Sequence, residues 1–252
     1  MVLSLGIVSL AVAADRGYQD SSLTAWAEDI SRGGVSLGHW LALTRNIGRL
    51  AREQNDPAAG LARATLTRRG GSGLLSDLNE LIEARNKIRH GAGPRTRLET
   101  EQSLRKVEDY VFSALSNSTF MSSVEWVLVD SLSWNPSSDD YAVTGLSLMG
   151  DHPDFEPTSF TSVSPLAKQL YLRTAEGESV PLEPFCKLLD CPQCKSPELY
   201  YPDRLKATVV VLKSLDRGHE TEHDMLAVAL RDRTKGWLDG SGSTQPGCTT
   251  TP

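Results

Sequence analysis

The chain has 252 residues, a formal net charge of −6 and 39% hydrophobic residues. That apolar content is enough to build a core and excludes a disordered chain. The acidic balance argues against a polyanion partner, but it is uneven: residues 1–122 hold 15 Lys and Arg against 13 Asp and Glu, whereas 123–252 hold 11 against 19. A mildly basic front and an acidic back suggest two units with different roles.

Met1–Ala14 is an apolar run with an Ala-x-Ala arrangement at Ala11–Ala13. No Lys or Arg precedes it, so it reads as a buried helix continuing into Asp15–Tyr18 in preference to an export signal. In the export reading, the mature chain would start at Asp15 outside the cytoplasm. The run is too short to span a bilayer and no other segment is a candidate, so the sequence predicts a soluble protein with no membrane partner.

Leu37, Leu41, Ile47 and Leu50 recur at mostly three- and four-residue spacing, which predicts an amphipathic helix ended by Asn55–Pro57. His39 and Trp40 on it read as core or interface residues. After the break at Gly70–Gly73, Leu74, Leu78, Leu81, Ile82 and Ile88 define a second stripe, stopped by Gly91, Gly93 and Pro94. Leu104, Val107, Val111 and Leu115 predict a further helix over Leu98–Ser116.

From Val124 the pattern changes. Val124–Leu132, Tyr141–Leu148, Gln169–Arg173, Glu198–Tyr201 and Ala207–Leu212 are rich in β-formers. Turn signals at Asn135–Asp140, Gly150–Pro157, Ala175–Ser179 and Pro202–Arg204 separate them. His223–Asp232 reads as one closing helix, and Gly240–Pro252 as a disordered tail. The expected fold is α+β: a helical domain over 1–122, a small β-rich open barrel or curled sheet over 123–235, and a tail over 236–252.

The chemistry concentrates in two places. The first is Arg85-Asn86-Lys87-Ile88-Arg89-His90. Arg85 continues the apolar stripe, where a charge is costly without a purpose. Asn86 and His90 share a helix face, and His90 closes the last turn, where the helix dipole favours imidazolium. Arg85, Lys87, Arg89, Arg95 and Arg97 fall in a stretch with no acid, able to hold RNA phosphates. Histidine can move a proton to or from a ribose hydroxyl, and arginine can stabilise charge building on phosphorus.

The second is Cys191-x2-Cys194, followed by His219-x3-His223, with Cys186 as a further candidate. Two thiolates and two imidazoles satisfy tetrahedral zinc in a structural role. The plainer reading is two reduced thiols and two histidines on a solvated GHETEH segment. Clustered cysteines also fit a reducing, cytoplasmic compartment better than a disulfide framework.

The motif Arg85-Asn86-x3-His90, closing an amphipathic helix before Gly91, resembles the signature of the HEPN superfamily. The layout also resembles bacterial proteins in which such a helical domain precedes a β-rich segment. Tyr171-Leu172-Arg173, Pro184-Phe185, Cys191-Pro192-Gln193-Cys194, Glu198-Leu199-Tyr200-Tyr201 and Gly218-His219 carry that likeness. The resemblance implies a metal-independent endoribonuclease of a bacterial defence or toxin system. It further implies Arg85 and His90 as catalytic, Asn86 as the residue orienting His90, and a homodimer with a composite site. It implies too that this chain begins inside a helix of the fold. The other function class is a non-catalytic adaptor, in which the helical half dimerises or binds RNA and the acidic β half docks a partner protein.

Overall fold

The computed structural model describes residues 1–54, 60, 65–66, 68–69, 72–148 and 155–239. The expected stop at Asn55–Pro57 and the Gly240–Pro252 tail lie outside them. The fold is α+β, as the sequence predicts: helices, then two antiparallel sheets, one curled into a half-barrel.

Three helices open the chain: α1 (Val2–Arg16), α2 (Ser21–Arg32) and α3 (Leu37–Glu53). Every residue of α1 from Leu5 to Ala13 is buried. A helix apolar all round must sit inside the protein. It ends at Gly17, whose φ of 66° is left-handed, so the expected continuation to Tyr18 stops short. Asp20 caps α2 by accepting from the Ser22 amide at 2.8 Å, and Ser36 caps α3 through the His39 amide at 3.2 Å. Trp40 is buried in the core, while His39 is exposed and paired with Asp29.

A two-stranded hairpin, β1 (Arg68–Arg69) and β2 (Ser72–Gly73), leads into α4 (Leu74–Arg89) and α5 (Arg97–Asn117). These two helices pack together as a second helical hairpin. Leu74, Leu75, Leu78 and Ile82 of α4 join Leu5, Leu41 and Ala114 in a small cluster of their own. A 3-10 turn (Thr119–Ser123) comes next.

The first sheet has the order β5-β4-β3-β6-β7, with β3 (Glu125–Asn135), β4 (Asp140–Ser147), β5 (Glu156–Ser162), β6 (Leu170–Arg173) and β7 (Ser179–Pro181). The second has the order β11-β10-β9-β8, with β8 (Lys187–Asp190), β9 (Pro197–Leu205), β10 (Val210–Ser214) and β11 (Glu220–His223). Helix α6 (Asp224–Asp239) closes the chain.

Three expectations from the sequence are corrected by the fold. Pro202–Arg204 is not a turn: β9 runs through it, and Pro202 sits where the register with β10 shifts between Val211 and Leu212. A residue without an N–H is accommodated at such an irregularity. GHETEH is not a free loop, because Glu220–His223 pairs with β10 along its whole length. The closing helix continues past Asp232 to Asp239, so residues 236–239 belong to it and not to a tail; Trp237 is buried there.

One large cluster joins the two halves. It takes residues from α1, α2 and α3, from β6, β9 and β10, and from α6. At its centre Trp26 meets the edges of Trp40, Phe185 and Trp237 at ring-centroid distances of 5.7, 5.9 and 6.3 Å. Phe185 stacks on Trp237 at 5.8 Å, and Trp40 meets Tyr201 at 6.2 Å. Thr24 hydroxyl donates to the Trp237 carbonyl at 2.7 Å, which ties α2 to the end of α6.

Gly6 lets Trp40 approach α1. A Cβ at Gly6 would lie 2.3 Å from Trp40 Cε3, and Trp40 is too buried to move aside. Gly6→Ala is expected to lower stability by about 1–3 kcal/mol through overpacking, despite the higher helix propensity of alanine. Chemical denaturation of both proteins measures the difference.

Candidate functional site

The chemistry expected at the end of α4 and the chemistry expected at the cysteines occupy different parts of the molecule, on different hydrophobic clusters.

Helix α4 ends at Arg89, with His90 as its C-cap and Gly91 in the left-handed region at φ 76°. The Ala92 amide donates to the Lys87 carbonyl at 2.9 Å and the Gly91 amide to Ile88 at 3.1 Å, the paired bonds of a Schellman closure. Thr96 and Glu99 then start α5 with a capping box. Glu99 also accepts from the Arg95 amide, and these two backbone bonds hold its carboxyl below the ordinary value.

Arg85 is exposed, so it does not continue a buried stripe. The buried positions Leu74, Leu75, Asp77, Leu78 and Ile82 end one turn earlier, where α4 passes beyond the core. Ile88, expected in the stripe, is 60% exposed for the same reason. Arg85 Nη1 donates to Asn86 Oδ1 at 3.3 Å, while the His90 amide donates to the Asn86 carbonyl at 3.0 Å. The Asn86 side chain therefore engages Arg85, and only its backbone engages His90. Arg85, Lys87, Arg89, His90 and Arg95 are exposed, and none has a carboxylate within ion-pair distance among the described residues. Arg97 does, pairing with Glu101 at 2.8 Å.

The expected stripe of α5 is also turned outward. Leu104, Val111 and Leu115 are exposed beside Phe112, and only Ala114 of this helix is buried.

In the β-rich half, Cys191, Cys194, Glu198 and His219 bring one potential ligand atom each to within 4.8 Å of one another, a group able to hold a metal ion. The six-residue loop from β8 to β9 is tight. Cys191 amide donates to the Ser196 carbonyl and Lys195 amide to the Cys191 carbonyl, both at 2.9 Å, with Lys195 left-handed at φ 62°. This turn presents both thiols to one side. His219 arrives on the connection from β10 to β11, where Ser214 pins the turn. Its hydroxyl accepts from the Arg217 and His219 amides at 3.2 and 3.3 Å, and Gly218 supplies the left-handed residue at φ 69°.

His219 Nδ1 lies 3.2 Å from Cys191 Sγ and 3.2 Å from Glu198 Oε1, and Cys194 Sγ donates to Glu198 Oε1 at 2.8 Å. Burial alone would raise the Cys191 thiol. The nearby Tyr200 hydroxyl and the amides of Cys194 and Gln193 outweigh it and bring it down to about 6. Burial likewise opposes ionisation of Glu198, but the Cys194 thiol, the nearby Ser214 hydroxyl and the charges of His219 and Arg217 hold its carboxyl below the ordinary value.

The predicted thiols and His219 thus come together. His223 and Cys186 do not join them. His223 Nδ1 accepts from the Leu226 amide at 3.2 Å and closes the first turn of α6. Cys186 is buried in the core, where burial pushes its thiol well above the usual range. Glu198 is the member that sequence reasoning misses. Its signal is a carboxylate on the inward positions of β9, alternating with Tyr200 and Pro202.

Comparison with protein-family models, curated proteins and solved structures gives no match to this chain. No helix of the described residues is long and apolar enough to cross a membrane.

His223→Ala is expected to lower stability by about 1 kcal/mol, the value of a lost helix cap. Thermal melts check it.

Proposed function

We propose that the exposed tip of the α4–α5 hairpin binds RNA, and that two copies together cleave it as a metal-independent endoribonuclease. The observation that carries this reading is a group of exposed cations, Arg85, Lys87, Arg89 and Arg95, with no acidic partner among the described residues of a chain of net charge −6. Other surface cations, among them Arg16, Arg32, Arg49, Arg173, Arg204 and Lys206, face carboxylates. Arg45, Arg105, Arg233 and Lys235 are exposed without an ion pair among the described residues, but they are not gathered in one run as the α4 cations are. Phosphates would supply the missing charge.

His90 beside them would take the proton of a ribose 2′-hydroxyl or return one to the leaving oxygen. Arg85 would stabilise the pentacoordinate phosphorus. The nucleophile is then internal to the substrate, so the products carry 2′,3′-cyclic phosphate ends and DNA is not cut. The outward stripe of Leu104, Val111, Phe112 and Leu115 on α5 gives a second copy an apolar face along the same hairpin. In this reading the protein belongs to the cytoplasm and to a bacterial defence or toxin system, as the HEPN resemblance implies. The metal-binding group of the β-rich half would hold a structural zinc, away from the reacting phosphate.

One observation favours the adaptor reading. Asn86 is held by Arg85 and not by the His90 ring, so a single copy does not preassemble the three residues. The same cations would then only bind, and the acidic half would dock a partner protein.

Incubation of a mixed RNA pool with the purified chain, in buffer without added divalent ions, separates the two. Cyclic phosphate ends are expected from the wild type, with a loss of at least about a hundredfold in His90→Ala and a comparable loss in Arg85→Ala. Both side chains are exposed, so stability should change by less than about 0.5 kcal/mol. RNA bound but uncut by the wild type would overturn cleavage and leave the adaptor; failure to bind RNA would overturn both forms of the RNA reading.

A further inference from the structure

Four donors converge from three places in the chain: the β8–β9 turn, the start of β9 and the β10–β11 turn. A tetrahedral ion with ordinary zinc bond lengths holds its ligand atoms roughly 3.3–3.8 Å apart. The distances of His219 Nδ1 from Cys191 Sγ and from Glu198 Oε1, both 3.2 Å, already approach that spacing.

Glu198 points to a cation more directly. Its side chain is only 4% exposed. One oxygen, Oε1, is shared by Cys194, His219 and Arg217, while the other, Oε2, is buried with no hydrogen-bond partner. A buried carboxylate oxygen left bare is costly, and a cation is the strongest way to satisfy it. The rest of the cluster is shaped for the same charge. The Gln193 amide donates to Cys191 Sγ at 3.4 Å, which supports a thiolate.

We propose that Cys191, Cys194, Glu198 and His219 bind one zinc ion, with Glu198 in the place that sequence spacing gives to His223, and with Arg217 as the outer charge that balances the site. The ligand chemistry selects the ion. Two sulfurs and an imidazole exclude magnesium and calcium, which take oxygen ligands. Two thiolates and a carboxylate leave a zinc site at −1, and Arg217 Nε lies 3.7 Å from Glu198 Oε1 to offset it. Four donors from the chain complete a tetrahedral shell, so the ion is structural. It fastens the β8–β9 turn to the β10–β11 turn at one end of the second sheet. His223, at the opposite end of β11, is engaged in capping α6.

This ligand set rests on the structural-zinc reading and is independent of RNA cleavage. The test uses the full chain. Elemental analysis of protein purified without chelator is expected to give one zinc per chain. Cobalt(II) added to the metal-stripped protein is expected to show tetrahedral d–d bands and thiolate charge-transfer absorption. His223→Ala should keep that spectrum. Glu198→Gln, nearly the same in shape, and Arg217→Ala should each weaken zinc binding by about tenfold or more. A wild-type chain that takes up neither zinc nor cobalt would overturn the site altogether. A spectrum lost in His223→Ala and unchanged in Glu198→Gln would overturn this ligand set while leaving a structural zinc in place.

Discussion

The structure depends on the packing of rings around Trp26. Its partners Trp40, Phe185 and Trp237 come from α3, from the segment before β8 and from the last turn of α6. Each large ring removes on the order of 150–250 Å² from water, so no fragment of the chain can bury these surfaces alone. The two ends of the chain must fold onto each other before the core exists. The thiol turn inherits its position from this contact, since β8 begins two residues after Phe185 and one after the buried Cys186.

Legibility in the sequence tracks amphipathic contrast. Helices α3, α4 and α5 can be read because apolar and polar residues alternate at helical spacing, and α1 because a long apolar run lacks the basic residues of an export signal. Strand β5 escapes such a reading: Glu-Pro-Thr-Ser-Phe-Thr-Ser has one large apolar residue and lies at a sheet edge. Strand β11 escapes it for a related reason. Glu220 to His223 is charged because it too is an edge, where charge keeps other strands from adding on. Helix α6 runs longer than its sequence suggests because Thr234, Lys235 and Gly236 look like a helix end. Packing of Trp237 against Phe185 overrides that local preference.

At the candidate sites, the paired cysteines are legible from their spacing and His219 from its three-residue interval to His223. Glu198 is not, because a ligand on a strand is brought to its partners by sheet register, which local spacing does not carry. The misreading of Arg85 has a different origin. Periodicity says which residues share a face, but not how far along the helix the core extends. The core under α4 ends at Ile82, and from Glu83 to His90 no side chain is buried. Leu104, Val111 and Leu115 on α5 are exposed for another reason: the core does reach this helix at Ala114, and their stripe is turned away from it.

The α4–α5 hairpin rests on its own small cluster, beside the ring-packed core that carries the sheets. Cooperative units in a protein follow such divisions: a unit with few buried apolar groups opens at lower free energy than the global core. The hairpin is therefore expected to open at lower free energy than the second sheet. The basic tip is thus carried by the less deeply anchored of the two units, with Leu5 of α1 and Leu41 of α3 as its buried points of attachment to the first three helices.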